Sequence, residues 1–494
     1  MSTEESASAM ELPNPDFQAR DLKRKNALKF FYPFVELSSA LSYGISSYVM
    51  FFLTNVYLLS VTFSTITSVV SSLAGLIVLP VFAGFLDRLR FKKSKFWPWI
   101  VIGTVALTFV SIAVMSLPAL GFKDPTTLAP LVFLLRLLGI LVTPLRDVPV
   151  AGVFPLLSSE PRDRAFFARS QKVGRDIGKT IGGYVVPALL IGLTALSGSE
   201  MSGYMYTAFI AYGTAMIGFM LLALFGLRGS YVEREALVAG EKAKEAKIPI
   251  TATLKAVVTN RPLYGMFLFF VLHKVYFFLY ASYATYVFEY VYEDFSKLGL
   301  FYSAFSFAAV IGVLAGAIWG RFFKESKRSF VAAMIAHVII TAIIAVFFKG
   351  LSANFFLVLF AASCFFMGML ENWILPMFAA SADFGAWKTG IRSDSLVMSV
   401  FSLSFTPAFA LPPIIAAVVL NSVNYTEFVA SGAAATPEIV NAIGTLFSWI
   451  PLVISLMSLA CLVFVFNLND TRIKAIQDEL AAGNTKATTK VKIF

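Results

Sequence analysis

Residues 37–86 read LSSALSYGISSYVMFFLTNVYLLSVTFSTITSVVSSLAGLIVLPVFAGFL, a run without a single charged side chain. A helix crossing the hydrocarbon core of a bilayer takes about 20 predominantly apolar residues. This stretch therefore holds two spans, joined by a short turn near Ser60. Working outward, further uncharged runs cover 97–122, 180–199, 201–227, 298–320, 329–348, 395–426 and 439–469. Segments 126–159, 262–288 and 350–382 are as long but carry isolated charges. With the run at 180 extended back into its charged start, the pattern predicts twelve spans.

Composition agrees. The chain has 494 residues, of which 58% are apolar and only 14% charged, with 50 Phe. Soluble domains carry about 25% charged residues, and 14% cannot coat several soluble cores. The net charge of +11 in a soluble chain would raise the question of nucleic acid; here it belongs in loops on one side of the bilayer, and no nucleic-acid partner is expected. Cys364 and Cys461 both lie inside apolar runs, so no disulfide framework is indicated. The first 26 residues are acidic, then basic, with no apolar core before Leu28. No cleavable signal peptide is expected from them.

The loops set the orientation. The N-terminal tail offers Arg20, Lys23, Arg24 and Lys25, and the even-numbered loops read DRLRFKKSK, PRDRAFFAR, KAKEAK, RFFKESKR and WKTGIR. The odd-numbered loops hold only Lys123, Lys297 and Lys349. Basic loops stay on the cytoplasmic side, which predicts a multi-pass protein of a bacterial inner membrane with both termini cytoplasmic. The expected organisation is a tail at 1–27, a six-helix bundle at 28–227, a polar cytoplasmic linker at 228–261, a second bundle at 262–469 and a charged tail at 470–494.

The halves share a weak repeat. Gly84-Phe85-Leu86-Asp87-Arg88, with Lys92 and Lys93, follows the second span, and Gly320-Arg321-Phe322-Phe323-Lys324 follows the eighth. This resembles the major facilitator superfamily, whose loop between the second and third helices reads G-x-x-x-D-R-x-x-x-[RK]-[RK]; Gly84, Asp87, Arg88 and Lys93 match part of it. The fold class this implies is an all-α membrane protein, twelve transmembrane helices in two six-helix bundles. Further segments narrow the likeness. They are Lys95-Phe96-Trp97-Pro98-Trp99, Asp147-Val148-Pro149, Pro161-Arg162-Asp163-Arg164, Asn260-Arg261-Pro262-Leu263 and Asp383-Phe384-Gly385-Ala386-Trp387-Lys388-Thr389-Gly390. Together they resemble the glycoside–pentoside–hexuronide:cation symporters, the family of the melibiose permease.

The resemblance implies alternating access around a central site, with sodium, lithium or protons flowing alongside a sugar. That family places paired acids four residues apart on its second helix and often a lysine on its eleventh. The corresponding positions here are Gly75, Leu79 and Thr406, so sodium coupling of the family type is not expected. The family's sugar-binding aspartate on the fourth helix maps onto Asp147. Its arginine on the fifth maps best onto Lys172, with Arg175 and Asp176 one turn away. Its cavity tryptophan on the tenth falls at Glu371, with Trp373 two residues on. The resemblance also implies a gate of Asp87, Arg88, Asp383, Lys388 and Arg392 at the cytoplasmic helix ends.

Charges inside the membrane carry the chemistry, because each costs several kcal/mol near the bilayer centre. The fourth span holds Arg136, Arg146 and Asp147, the seventh Lys274 beside His273, the tenth Glu371 and the first Glu36. On the fifth, Arg169, Lys172, Arg175, Asp176 and Lys179 fall in steps of three and four along one broad helical stripe. Arg169 reads as interfacial, and Lys179 lies too deep to snorkel easily. Excluding Arg169, six cations face four acids. Neighbouring residues on a helix diverge, so pairing across helices is expected, rather than Arg146 with Asp147 or Arg175 with Asp176. The surplus of two favours an anionic cargo held by Arg forks and Lys ammonium groups, with Arg146, Lys179 and Lys274 as the central cations. Tyr32, Phe34, Tyr43 and Tyr48 on the first span and Tyr276, Phe277, Phe278 and Tyr280 on the seventh are the aromatics from which a cavity lining would be drawn, with Tyr280, past Lys274, the first choice.

The leading reading is a secondary transporter of a small, polar, anionic, sugar-like solute, acting as a monomer. Glu371, Asp147 or Glu36 would carry a coupling proton, or the protein would run as an exchanger or uniporter. A second reading makes the cargo a lysophospholipid; a third, of another class, is a receptor on a transporter scaffold. No nucleophile–base pair, phosphate-binding loop or metal constellation is present in the sequence, so neither an enzyme nor a cofactor is expected. Gly182-Gly183 and the Gly312/Gly316/Gly320 series read as close helix packing.

Overall fold

The computed structural model describes residues 15–88, 95–122, 124–154, 161–228, 230, 260–389 and 394–486. Twelve helices among them are long and apolar enough to cross a membrane. The first half contains α1 (Ala27–Val56), α2 (Val61–Arg88), α3 (Trp97–Ser116), α4 (Pro125–Val153), α5 (Pro161–Ser197) and α6 (Glu200–Leu227). The second half contains α7 (Arg261–Tyr290), α8 (Phe295–Phe322), α9 (Ser326–Gly350), α10 (Ala353–Thr389), α11 (Val397–Asn421) and α12 (Pro437–Val465). A further helix, α13 (Asp470–Ala481), occupies what the sequence marks only as a charged tail. The expected linker lies, for the most part, outside the described residues.

Close helix approach is built from glycine. A Cβ on Gly182 of α5 would collide with the carbonyl of Ala40 in α1, and one on Gly44 would come within 2.6 Å of the Gly182 carbonyl. On the other side, Cβ atoms on Gly312 and Gly368 would strike backbone carbonyls between α8 and α10. Small residues let membrane helices pack where lipid supplies no hydrophobic drive. α1 is not one rod. Ser38 and Ser39 donate to the Val35 carbonyl at 2.9 and 2.8 Å, competing with the helix ladder, and the span ends in a π-helical turn over Phe52–Val56.

The two most family-like motifs meet in space. Asn260 caps α7, accepting from the Leu263 amide at 3.1 Å, with Pro262 in the first turn. The same side chain donates to the Ser381 carbonyl of α10 at 2.8 Å, and a Cβ on Gly385 would come within 2.9 Å of it. This explains why a glycine follows Asp383-Phe384.

The halves are joined at the span ends away from the chain termini, through neutral groups. The Thr54 hydroxyl shares a 2.7 Å hydrogen bond with Tyr286. Asn55 Oδ1 accepts from Tyr290 at 2.6 Å and Tyr425 at 2.9 Å. Asn421 donates to Thr62 at 3.0 Å, and Thr65 to the Pro413 carbonyl at 3.2 Å. The π-helical turn carries both Thr54 and Asn55, so a local backbone irregularity supplies the seal.

Candidate functional site

Two adjoining cavities lie between the halves, of about 600 and 380 Å3. They share Arg175 and Lys179 of α5, Phe277 and Phe278 of α7, and Phe405 of α11. Phe305 and Ser306 of α8 also line both; Tyr43, Tyr302 and Phe409 are among the further residues of the larger one, while Lys172, Asp176, Lys274 and Glu371 border the smaller. From Lys172 to Lys179 the stripe on α5 faces the space between the halves, while the Arg169 side chain lies outside the described residues.

The acids beside the cavities are mostly engaged. Glu36 is only 10% exposed at its side chain and takes four donations. Arg175 grips it with two nitrogens at 2.8 and 3.1 Å, Gln171 donates at 3.0 Å and the Tyr43 hydroxyl at 2.7 Å. A buried carboxylate satisfied this fully is held in place by its donors. Glu371 accepts from Lys274 at 2.5 Å, with the His273 ring nitrogen 3.4 Å away. Lys274 also sits 5.2 Å above the Phe270 ring.

Lys179 has no such partner. Its ammonium lies 5.9 Å from the rings of both Tyr43 and Phe277, and no carboxylate stands within 4 Å of it among the described residues. Asp176 and Lys172, on the same helix, likewise form no ion pair among the described residues. Once Glu36 is assigned to Arg175 and Glu371 to Lys274, Lys172 and Lys179 face Asp176 alone. The cavity walls keep a surplus of one positive charge. The second surplus cation, Arg136, lies apart: among the described residues its guanidinium reaches only the Ser68 hydroxyl, at 3.4 Å, and its Nε is buried without a partner.

The pairing of charges differs from the sequence expectation in one place. Arg175 does pair across helices, but Arg146 pairs with its own neighbour Asp147, at 2.7 Å. The long arginine side chain swings back along α4 because its guanidinium lies on the Phe219 ring of α6, 4.3 Å from the centroid. Neither residue borders the two cavities described. Nor does Tyr280, which is fully buried and donates to the Phe447 carbonyl at 2.8 Å. Trp373 packs on Phe330 at 5.9 Å inside the second half.

Of the residues expected at the gate, Asp87 and Arg88 close α2, with side chains outside the described residues, as is Arg392. Asp383 accepts from Gln477 of α13 at 2.9 Å, and Lys388 is exposed in the last turn of α10. Phe277 and Phe278 are among the aromatics read from the seventh span, whereas Phe405, and the seal through Asn55, escape the sequence reading. For the seal the signal was there, an Asn within an otherwise apolar run; nothing in the sequence sets Phe405 apart.

The comparisons with known proteins agree with this architecture. Residues 37–470 match the family model described as MFS/sugar transport protein. The chain is 25% identical over 391 residues to an Escherichia coli (strain K12) protein assigned as a sulfoquinovose importer, covering 78% of each chain. It is 22% identical over 459 residues to the isoprimeverose transporter of Lactiplantibacillus pentosus, covering 91% of each. A Salmonella typhimurium protein assigned as a 2,3-dihydroxypropane-1-sulfonate exporter is 24% identical over 79% of this chain and 81% of its own. Among solved structures, a bacterial homologue of the iron transporter ferroportin in its inward-facing state superposes with a TM-score of 0.63 at 13% identity, covering 90% of this chain and 99% of that one. A D-xylose–proton symporter gives 0.58 at 15%, covering 89% and 97%. Twelve spans in two bundles around a central cavity are the major facilitator fold, and the chain belongs to the MFS/sugar transport family, a transporter and not an enzyme.

Proposed function

We propose that the protein carries a small anionic, sugar-like solute by alternating access, as a monomer, without a sodium ion. The observation that carries this reading is Lys179, a cation without a carboxylate partner at the junction of the two cavities. An ammonium held between aromatic rings in a space partly shielded from water gains most from an anion that enters. Lys172 extends the positive wall, and Phe277, Phe278 and Phe405 give the ring of a sugar an apolar face to lie on. Two of the relatives above are assigned to sulfonates, which fits an anionic cargo; isoprimeverose is neutral, so the family name alone does not decide.

The coupling follows from what α2 and α11 lack. Gly75, Leu79 and Thr406 stand where a cation site would need oxygen-rich, anionic ligands. Of the three acids considered for coupling, Glu371 is the one that lines a cavity, beside its partner Lys274, while neither Glu36 nor Asp147 borders either cavity. Glu36 is locked by four donors and Asp147 by Arg146. The side bearing the termini is the cytoplasm of a bacterial cell, by the basic loops; the state with Asn55 engaged is then closed to the outside. Asp87, Arg88, Asp383, Lys388 and Arg392 form the opposing gate when that side closes.

A thermal-stability screen of the purified protein tests the cargo class. A ligand that binds only the folded protein adds about 2.7 kcal/mol at a hundredfold excess over its Kd. Hexuronides or sulfonated sugars raise the midpoint and matched neutral hexosides do not. Stabilisation by the neutral sugars alone would contradict the reading.

A further inference from the structure

A third cavity, of about 610 Å3, lies outside the transport path, where α9, the end of α12 and the start of α13 meet. Its rim and its wall differ in chemistry. At the rim stand Lys327, Arg328 and Arg472, with Glu325 as the one acid. Along the wall run Val331, Ala332 and Ile335 of α9 and Val463 of α12. Ile335 is 43% and Val463 39% exposed, although both belong to spanning helices. Lys327 and Arg328 stand at the start of α9, with Val331, Ala332 and Ile335 one to two turns further in, and Val463 lies just inside the end of α12. That is the order in which a lipid presents its headgroup and its acyl chain.

The polar contacts leave room for a ligand. Lys327 donates to the Phe466 carbonyl, and Arg472 to the Asn467 carbonyl at 2.7 Å. Arg328 pairs with Glu325 at 3.0 Å but keeps 70% of its side chain exposed. An arginine has five N–H donors, so the Arg328 guanidinium, bound to Glu325 through one nitrogen, keeps donors for a ligand. Asn467 also borders the cavity, and its side-chain Oδ1 is buried without a hydrogen-bond partner among the described residues. Such an acceptor calls for a donor from the ligand.

We propose that this groove is a binding site for one anionic phospholipid whose headgroup carries a free hydroxyl, phosphatidylglycerol being the type. The phosphate takes Arg328 and Lys327, with Arg472 adding positive charge to the rim and Glu325 the one acid among the described lining residues. The headgroup hydroxyl donates to Asn467 Oδ1, and the acyl chain lies along Ala332, Ile335 and Val463. A choline headgroup brings no net charge and no donor. An ethanolamine headgroup brings a donor that is itself a cation among three cations. A water-soluble phosphate ester satisfies the rim and leaves the apolar wall bare. Because the groove lies wholly in the second half, between α9, α12 and α13, the lipid fixes α13 to the bundle in every state of the transport cycle.

The experiment is native mass spectrometry of the detergent-purified full chain, titrated with dioleoylphosphatidylglycerol and dioleoylphosphatidylcholine, and with sn-glycerol 3-phosphate as competitor. One phosphatidylglycerol binds at least roughly tenfold more tightly than phosphatidylcholine, and equimolar glycerol 3-phosphate does not displace it. Arg328→Gln, at a site too exposed to disturb folding, loses about tenfold, the scale of one charge-assisted bond. Ala332→Trp fills the acyl slot and loses a similar factor with its thermal midpoint unchanged. Equal binding of the two lipids, displacement by glycerol 3-phosphate, or undiminished binding in either variant overturns the proposal.

Discussion

Replacing Lys179 with Gln removes a cavity cation that has no carboxylate within 4 Å among the described residues and lies beside two aromatic rings. No carboxylate within 4 Å depends on it, so the change orphans nothing, and the thermal midpoint stays within the range of an ordinary surface substitution, about 0.5 kcal/mol. Binding is another matter. A hydrogen bond to a charged group is worth about 1.5–3 kcal/mol net, which corresponds to roughly a 10- to 150-fold rise in Kd. Glutamine keeps a donor of similar reach, so the lower part of that range applies if Lys172 compensates. The assay is calorimetric titration of wild type and variant with a hexuronide and with the neutral hexoside that lacks the carboxylate. The anion loses at least tenfold and the neutral sugar less than threefold. Equal losses for both ligands would mean that Lys179 shapes the cavity without reading charge, and the reasoning would fail.

Arg175→Gln behaves in the opposite way, because it leaves Glu36 buried without its main partner. Thermal unfolding reports a loss of about 3 kcal/mol, and adding Glu36→Gln restores most of it; additive losses would refute the pairing. Asn55→Ala removes two hydrogen bonds that hold the halves together, worth about 1 kcal/mol each. Spin labels at the exposed Leu120 and Ser431 then show a longer distance component, and an unchanged distribution would place the seal elsewhere.

Much of this was readable from the chain. Lipid forces backbone groups to pair within each span, so twelve apolar runs and alternating basic loops determine the helices with little ambiguity. The stripe from Lys172 to Lys179 was equally legible, since its residues are separated by single turns of one helix. Partner choice was not. Glu36 and Arg175 stand far apart in the chain, and only the glycine contact between α1 and α5 brings them together. The back-folded Arg146 depends on a ring in α6, which no spacing within α4 reveals. Tyr280 looked free because it lies beyond Lys274 on the same helix. Its hydroxyl in fact faces α12, where a carbonyl next to the break at Ser448 accepts it. The π-helical end of α1, which presents Thr54 and Asn55 to the other half, is a departure from the regular helix that apolar periodicity does not register.

The central claim is that an anionic sugar-like solute crosses the membrane through this cavity without sodium. Its most direct test is uptake by purified protein in proteoliposomes of a radiolabelled hexuronide and of its neutral counterpart, in sodium and in choline medium at fixed pH. Saturable uptake of the anion, equal in the two media and abolished or strongly reduced in Lys179→Gln, is the expected result. A tenfold stimulation by sodium, or uptake of the neutral sugar as fast as the anion, would contradict it.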